Sequence, residues 1–319
     1  MKQKSTRRAV TEGLFDVIEE DRSIVLVSSD SVGVIKAQDF IEKFPSNFIE
    51  VGISEQAAMA ISAGIASCGM TPVYVSYAVF ATQRACEQLR NAVSYPRLNV
   101  KVIGANGGMG SGEREGVTHQ GLEDLGITRT IPGITVLSPA DAGQVRQAVR
   151  AITEKIDGPV YLRIGSGRDP EFWDEDTPFE FGKCRTFFDE GEELVIFGHG
   201  FVLPCIKLAC RELSSRGVRV RGVEVSTIKP LPENEVLDHL KGCKAALVVE
   251  DHTTIGGLGS AVCETSSALC PRRIIRIGLD DQFSESGTPE ELFEKYGITV
   301  HSIVEKAEEA LSNTLSIRS

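Results

Sequence analysis

The chain has 319 residues, of which 41% are hydrophobic and 25% charged, and its formal net charge is -11. This length suggests two domains of an ordinary globular protein, and the negative charge makes nucleic-acid binding a poor hypothesis. The N-terminus has no apolar run behind it and no stretch approaches the ~20 apolar residues of a membrane span, so we expect neither a secretory signal nor a membrane anchor.

In the first half of the chain, short apolar runs alternate with helix-length segments. The predicted strands cover residues 24–27, 72–77, 100–103, 134–137 and 160–164. The predicted helices cover residues 55–68, 82–93 and 140–154. This alternation indicates a parallel sheet with helices on both faces, and we expect the first domain to cover residues 1–165.

The segment that follows breaks this rhythm, because it is rich in acidic and aromatic residues and contains two prolines. We interpret residues 166–190 as a linker on the surface, followed by a second α/β domain over residues 191–319. Its predicted strands cover 194–197, 218–225, 246–249 and 274–277. Its predicted helices cover 203–215, 259–269, 289–296 and 302–311. The predicted fold class is therefore α/β, with two three-layer domains built on parallel or mixed sheets.

The eight cysteines are scattered along the chain and include no Cys-x-x-Cys pair. Such usage disfavours a zinc site or a disulfide framework, and it favours buried free thiols in a reducing compartment. We therefore expect a cytoplasmic protein with no metal site of its own.

Three segments contain residues that could carry chemistry. Glu55 lies in the first turn of a helix rich in small residues, where a carboxylate is electrostatically favoured, although many helices begin with an acid that has no further role. The glycine-rich loop 104–112 follows a predicted strand, at the edge where parallel sheets bind ligands, and it leads to His119. For the loop and for His119, the sequence leaves both a functional and a structural role open.

The third segment is Glu250-Asp251-His252 followed by the glycine-rich run 256–259. This is half of a dinucleotide-binding fingerprint, but its sixth position is Val262 instead of glycine or alanine. Close packing between a strand and a helix explains these glycines as well as nucleotide binding does.

Taken together, these segments resemble the transketolase superfamily, and the resemblance covers nearly the whole chain. Each segment is weak by itself, but their order and spacing are specific. The matching segments are 51–56 (VGISEQ), 76–80 (SYAVF), 116–120 (GVTHQ), 131–133 (IPG), 139–141 (PAD), 158–163 (GPVYLR), 228–231 (IKPL), 250–252 (EDH) and 256–259 (GGLG). The resemblance implies a thiamine-diphosphate pyrimidine-binding domain followed by a transketolase C-terminal domain.

The resemblance also implies roles for individual residues in cofactor binding. Glu55 matches the family's glutamate, which hydrogen-bonds N1′ of the aminopyrimidine of thiamine diphosphate and promotes formation of the reactive ylide. Tyr77 and Phe80 match the positions of aromatic rings around the pyrimidine, where flat rings can stack. Packing at the sheet edge is the alternative explanation for both aromatic residues.

Further residues are expected at the substrate. His119 matches the histidine of the family's Thr-His-Gln motif, which is suited to proton transfer or to binding a substrate oxygen. Arg163 and Arg7 match or lie near positions where transketolases bind the sugar phosphate. Asn106-Gly107 stands where many transketolases carry His-Asp, and we expect Asn106 at the substrate too. The run 112–116 is one residue longer than in the family and includes an arginine, which leaves the choice of sugar open.

The family's other half carries Gly-Asp-Gly and a later Asn, which hold Mg²⁺ and the diphosphate, and this sequence has no Gly-Asp-Gly. The resemblance thus implies a split transketolase in an α₂β₂ assembly, with the Mg²⁺ ligands on an N-terminal partner subunit and self-dimerisation through the C-terminal domain. It would transfer a two-carbon ketol group between sugar phosphates. The alternatives are the β subunit of a 2-oxoacid dehydrogenase, a deoxyxylulose-phosphate-synthase-like enzyme (normally one longer chain) and a non-enzymatic scaffold.

Overall fold

The structure is a computed structural model and describes residues 3–111, 116–167 and 169–316. The α-helices are α1 Thr6–Ile18, α2 Gln38–Lys43, α3 Glu55–Ser67, α4 Cys86–Gln88, α5 Asp124–Thr130, α6 Ala142–Glu154, α7 Leu203–Ser215, α8 Glu233–Lys241, α9 Leu258–Leu269, α10 Pro289–Lys295 and α11 Val300–Ser316. The strands are β1 Gln3–Lys4, β2 Ile24–Ser28, β3 Phe48–Glu50, β4 Thr71–Tyr77, β5 Lys101–Ala105, β6 Thr135–Leu137, β7 Val160–Arg163, β8 Asp169–Pro170, β9 Arg185–Asp189, β10 Leu194–Gly198, β11 Val220–Glu224, β12 Thr227–Lys229, β13 Ala245–Thr253 and β14 Arg273–Leu279. None of the helices in these ranges combines the length and the apolar character needed to cross a membrane.

The first sheet is built around strands that are buried on both faces. Its described strands run in the order β12-β6-β7-β5-β4-β2-β3, and all pairs are parallel except β12 with β6. Apolar side chains of α1, α2 and α6 cover one face, while α3, α5 and the helical segment 80–94 cover the other. Continuous apolar runs such as that of β2 are typical of strands in such a sheet.

The helices α1 and α6 pack against each other in direct backbone contact. A Cβ atom at Gly13 of α1 would lie 2.8 Å from the Cβ of Val149 and 2.9 Å from the carbonyl oxygen of Arg146. Real Cβ atoms do not approach other atoms so closely, so glycine is what permits this packing. The sequence analysis did not predict α1.

The second sheet has the described order β14-β13-β10-β11-β9, in which β9 is antiparallel to β11 and the other pairs are parallel. Side chains of α7 and α11 cover one face, and side chains of α8 and α9 cover the other. Both halves are thus three-layer α/β units with mixed sheets, which confirms the predicted fold class.

Two strands were not predicted from the sequence. Residues 185–189, expected within the linker 166–190, form the edge strand β9, which pairs with β11. The ring of Phe187 packs directly on Gly222 of β11, where a Cβ atom would lie 2.5 Å from the ring. Residues 227–229 lie in the range assigned to the C-terminal domain and were not predicted as a strand; they form β12, which joins the first sheet and pairs Thr227 with Leu137. Lys229 reinforces this pairing, since its Nζ donates to the carbonyl oxygen of Ile131 at 2.5 Å. The two halves therefore share a sheet.

Candidate active site

Glu55 is buried at the start of α3, beside the carboxyl ends of β2 and β4. The chain turns at Gly52, whose φ of 71° is readily adopted by glycine, and Ser54 donates its hydroxyl to the carbonyl of Val51 at 2.8 Å. This turn directs Glu55 inward, so that the residue is only 3% exposed. A carboxylate in this position gains from the helix dipole but still needs a donor to compensate for its burial.

The donor is Arg84, a residue that the sequence analysis did not single out. Its Nη1 donates to Oε2 of Glu55 at 2.8 Å, although the arginine side chain is 48% exposed. Its guanidinium carbon also lies 4.5 Å from the centroid of the Phe80 ring. The segment Phe80–Arg84 is wound as a π-helix, a geometry often found at functional sites. The only hint in the sequence was that Arg84 follows Phe80 by four residues, a spacing that brings two side chains together on one face of a helix.

Tyr77, Phe80 and His119 form an aromatic cluster at the end of β4. The ring centroids of Tyr77 and Phe80 are 5.8 Å apart, and those of His119 lie 5.2 Å from Tyr77 and 5.0 Å from Phe80. All three contacts are edge-to-face, a favourable arrangement of such rings. Thr118 Oγ1 lies 2.9 Å from Nδ1 of His119 and helps to orient the imidazole. Three of the predicted site residues are therefore in direct contact.

The segment that carries His119 rests on the second half of the chain. A Cβ at Gly116 would lie 2.5 Å from the hydroxyl oxygen of Ser286. At the other end of the segment, Nε2 of Gln120 donates to the carbonyl oxygen of Glu285 at 3.0 Å. The C-terminal half thus supports the position of the histidine, a coupling that sequence motifs do not reveal.

A cavity of about 480 Å³ opens beside this cluster, large enough for a small organic ligand. One wall is the helical segment after β4, and the other is the segment around His119 together with a loop of the C-terminal half. Its lining includes Phe80, Arg84, Thr118, Gln120 and Phe283. Phe283 is 76% exposed, so a large apolar ring stands at the mouth of the cavity.

Asn106 and Arg7 meet at the carboxyl end of β5. The Arg7 guanidinium donates to Oδ1 of Asn106, which is fully buried and has a left-handed backbone with φ of 58°. Such a backbone is uncommon outside glycine and is one that asparagine tolerates. The Asn106 carbonyl accepts from the amide of Gly121 at 3.0 Å, which joins this pair to the segment that follows His119. Arg7 therefore lies next to Asn106, which is another residue predicted at the substrate.

Arg163, predicted at the substrate, is held by acceptors within the protein. It is 5% exposed, and its Nε donates to Oδ2 of Asp124 at 3.0 Å. Its Nη2 donates to the carbonyl oxygens of Gly121 at 3.1 Å and of Asp251 at 2.7 Å. The side chain projects from a central strand into the contact between the two halves, where these acceptors engage it. Its contact with a sugar phosphate stays a prediction, and such a ligand would have to compete with these protein acceptors.

The glycine-rich loop after β5 is anchored by the second half of the chain as well. Asp251 accepts from the backbone amides of Met109 at 2.8 Å and Gly110 at 3.2 Å. Burial raises the pKa of Asp251, and the charge of Arg163 and then the two amide donors oppose this shift. Residues 104–111 therefore have a defined conformation, while the expected insertion in 112–116 lies outside the described residues except for Gly116.

The glycines at 256–259 serve close packing. The carboxylate of Glu250 accepts from the amides of Leu258 at 2.8 Å and Gly259 at 2.9 Å, at the start of α9. A Cβ at Gly257 would collide with this carboxylate. Two of the free amide groups at the start of this helix thus find their hydrogen-bond acceptor within the protein. Within residues 3–111, 116–167 and 169–316, no three His, Cys, Asp or Glu side chains are grouped as metal ligands would be.

Comparisons with known proteins agree with this geometry. The family model described as transketolase, pyrimidine binding domain, matches residues 2–167, and that described as transketolase, C-terminal domain, matches residues 182–303. The chain is 35% identical over 312 residues to a protein of Methanocaldococcus jannaschii named as a transketolase C-terminal section, which covers 97% of this chain and 96% of the relative.

A second relative and a solved structure also match this chain over more than nine-tenths of its length. The 6-deoxy-6-sulfo-D-fructose transketolase subunit of a Clostridium species is 34% identical over 296 residues, with 93% of this chain and 91% of the relative covered. A solved split-gene transketolase, described as an inactive beta4 tetramer, superposes with a TM-score of 0.87 at 34% identity and covers 97% of this chain and 99% of that one.

Proposed function

Because the chain belongs to the transketolase family, we propose that it is the pyrimidine-binding and C-terminal subunit of a split, thiamine-diphosphate-dependent transketolase. Together with a diphosphate-binding subunit, it transfers a two-carbon ketol group from a ketose donor to an aldose acceptor. The observation that carries this proposal is the buried carboxylate of Glu55, reached from Phe80 through Arg84, with Phe80 in turn touching Tyr77 and His119.

The contacts of Glu55 and Phe80 support binding of the cofactor's aminopyrimidine. Glu55 already accepts a hydrogen bond from the flat, cationic guanidinium of Arg84, and the same guanidinium lies over the face of Phe80. When bound, thiamine diphosphate supplies a nucleophilic carbon and an electron sink for the ketol fragment. Glu55 would hold a proton at N1′, while Tyr77 and Phe80 would orient the pyrimidine and exclude water.

His119 is the candidate for proton transfer at the substrate. Its ring contacts Phe80 and is oriented by Thr118. One imidazole nitrogen can then exchange a proton or a hydrogen bond with a hydroxyl or carbonyl oxygen of the ketose substrate. Arg7 and Asn106 are assigned to the anionic or polyhydroxy part of the sugar. A relative that acts on a sulfosugar supports an anionic ketose as the substrate class.

The diphosphate and Mg²⁺ are assigned to a partner subunit in an α₂β₂ enzyme, with this chain dimerising through its C-terminal domain. A relative named as a transketolase C-terminal section, of which 96% is covered, supports this arrangement. A similar split-gene subunit that forms an inactive tetramer by itself supports it too. The unpaired cysteines fit the reducing cytoplasm.

Isothermal titration of thiamine diphosphate and Mg²⁺ tests the proposal, first with the chain alone and then with its mixture with the diphosphate-binding subunit. We expect tight binding only in the mixture, together with ketol transfer between sugar phosphates, and we expect Glu55→Gln to abolish transfer. Glu87→Gln, an exposed residue in α4, is the control. Decarboxylation of 2-oxoacids without ketol transfer would support the dehydrogenase alternative, and absence of binding in the mixture would contradict the proposal.

A further inference from the structure

The guanidinium of Arg84 makes the two contacts that the proposed function requires of a bound aminopyrimidine. It is flat and cationic, carries N–H donors, and donates to Glu55 Oε2 at 2.8 Å. It also lies over the ring of Phe80, 4.5 Å from its centroid. A protonated aminopyrimidine is likewise flat, carries N–H groups and needs a carboxylate and an aromatic face.

We propose that Arg84 is a positioning residue, which takes the place of the cofactor's aminopyrimidine in the cofactor-free chain and withdraws from Glu55 and Phe80 when the cofactor binds. This inference rests on the proposed function of the site. A buried carboxylate without a partner is costly, so the cofactor-free chain needs a substitute donor to keep Glu55 in its inward position.

The surroundings of Arg84 allow it to leave. Its side chain is 48% exposed, whereas that of Glu55 is 3% exposed, so the arginine reaches the carboxylate from the solvent side. Arg84 also lines the cavity of about 480 Å³ beside Phe80, into which it can turn. His119 and Tyr77 meet Phe80 edge-to-face, at interplanar angles of 75° and 78°, and keep the ring in place when the guanidinium departs.

Displacement of Arg84 has a measurable cost, because cofactor binding must break an ion pair and a cation–π contact before it replaces them. Removal of the guanidinium should therefore tighten cofactor binding, by about tenfold if the pair contributes as a typical charged hydrogen bond does. The same substitution should destabilise the cofactor-free chain, since Glu55 is then buried without a charged partner. A residue that merely supported the site would produce weaker binding instead.

The test is calorimetric titration of thiamine diphosphate with Mg²⁺ into the assembled two-subunit enzyme, for wild type, Arg84→Met and Arg90→Met. Arg90 is the matched control, because it lies on the same helical segment and its Nη1 donates to Asn91, away from Glu55. We expect about a tenfold lower Kd for Arg84→Met and no change for Arg90→Met. Without cofactor, we expect a lower Tm for Arg84→Met, largely recovered in the double variant with Glu55→Gln.

An unchanged or higher Kd for Arg84→Met would overturn the inference while leaving the proposed function in place. If that variant does not fold, Arg84→Lys decides the matter, because lysine keeps the charge but has no planar group to stack on Phe80. An intermediate decrease in Kd supports the inference, and an unchanged or increased Kd overturns it. No cofactor binding by the wild-type assembly would overturn the proposed function and the inference together.

Discussion

At the scale of single residues, two arginines next to carboxylates have opposite surroundings. Arg163 is 5% exposed and donates to Asp124 and two carbonyl oxygens, whereas Arg84 is 48% exposed and can exchange its partners with solvent. Fixed acceptors on every side suit a structural arginine, and solvent access suits one that moves. Burial, more than residue type, separates their roles.

We expect Arg163→Met to lower the free energy of unfolding by about 3–5 kcal/mol, because Asp124 would remain buried without its charged partner. The control is Arg150→Met, which breaks an exposed pair with Glu154 within α6 and should cost less than about 1 kcal/mol. Urea unfolding measures both. An unchanged stability together with a raised KM for a sugar phosphate would favour the predicted substrate role of Arg163 over this structural one.

His119→Asn should lower kcat by about a hundredfold or more, because it removes the group suited to proton transfer. Cofactor affinity should change little, since Glu55 and Phe80 remain. The control is His301→Asn, an exposed position in α11. Steady-state kinetics of the assembled enzyme and calorimetric titration separate the two effects, and a full loss of cofactor binding would contradict the assignment.

At the scale of elements, the contact between α1 and α6 allows a sharp test with two glycines. Gly13→Ala should destabilise the protein by about 1–3 kcal/mol, because the new methyl group overlaps Val149. Gly64→Ala, in α3, meets no atom within 4 Å and should stabilise the protein by up to about 1 kcal/mol, since alanine favours helix. Thermal or urea unfolding compares them. Equal effects of the two substitutions would mean that α1 and α6 are not packed this closely.

The sequence identified the elements whose pattern is local. Buried runs such as those of β2 and β10 are continuous and apolar, so they are visible without tertiary information. Strand β12 has three residues and is defined by its partner in the other half, so no local pattern marks it. In the candidate site, Tyr77, Phe80 and His119 were recognised from motifs, while the partners of Arg84 and Arg163 depend on contacts between segments far apart in the chain.

At the scale of the whole molecule, the segment between the two halves is tied to both. Asp141, at the start of α6, accepts from the amides of Phe172 at 2.9 Å and Trp173 at 2.8 Å. The indole of Trp173 donates to Glu224 at the end of β11, at 2.7 Å. Burial raises the pKa of Glu224 to about 7. A titratable group thus lies where the halves and their connection meet.

The stability of the protein should therefore fall as the pH rises through this range. The folded pKa of Glu224 is above its ordinary value of 4.5, so its contribution is complete below pH 4.5 and is lost as the pH rises through about 7. Glu224→Gln, which can still accept from Trp173, should gain on the order of 3 kcal/mol relative to wild type between pH 5 and pH 8.

Urea unfolding followed by Trp173 fluorescence measures this difference, since the sequence has one tryptophan. The exposed Glu290→Gln is the control and should run parallel to wild type at every pH. If wild type and Glu224→Gln also kept a constant difference from pH 5 to pH 8, Glu224 would not titrate in this range.

The crossing of β12 into the first sheet has a consequence for dissection of the chain. Without Thr227–Lys229, the strand β6 would become a free edge with unpaired amide and carbonyl groups. Such an edge is a template for pairing with another molecule, so a fragment that ends before this strand should self-associate and precipitate. We expect a fragment of the first domain to stay monodisperse only if it includes Thr227–Lys229.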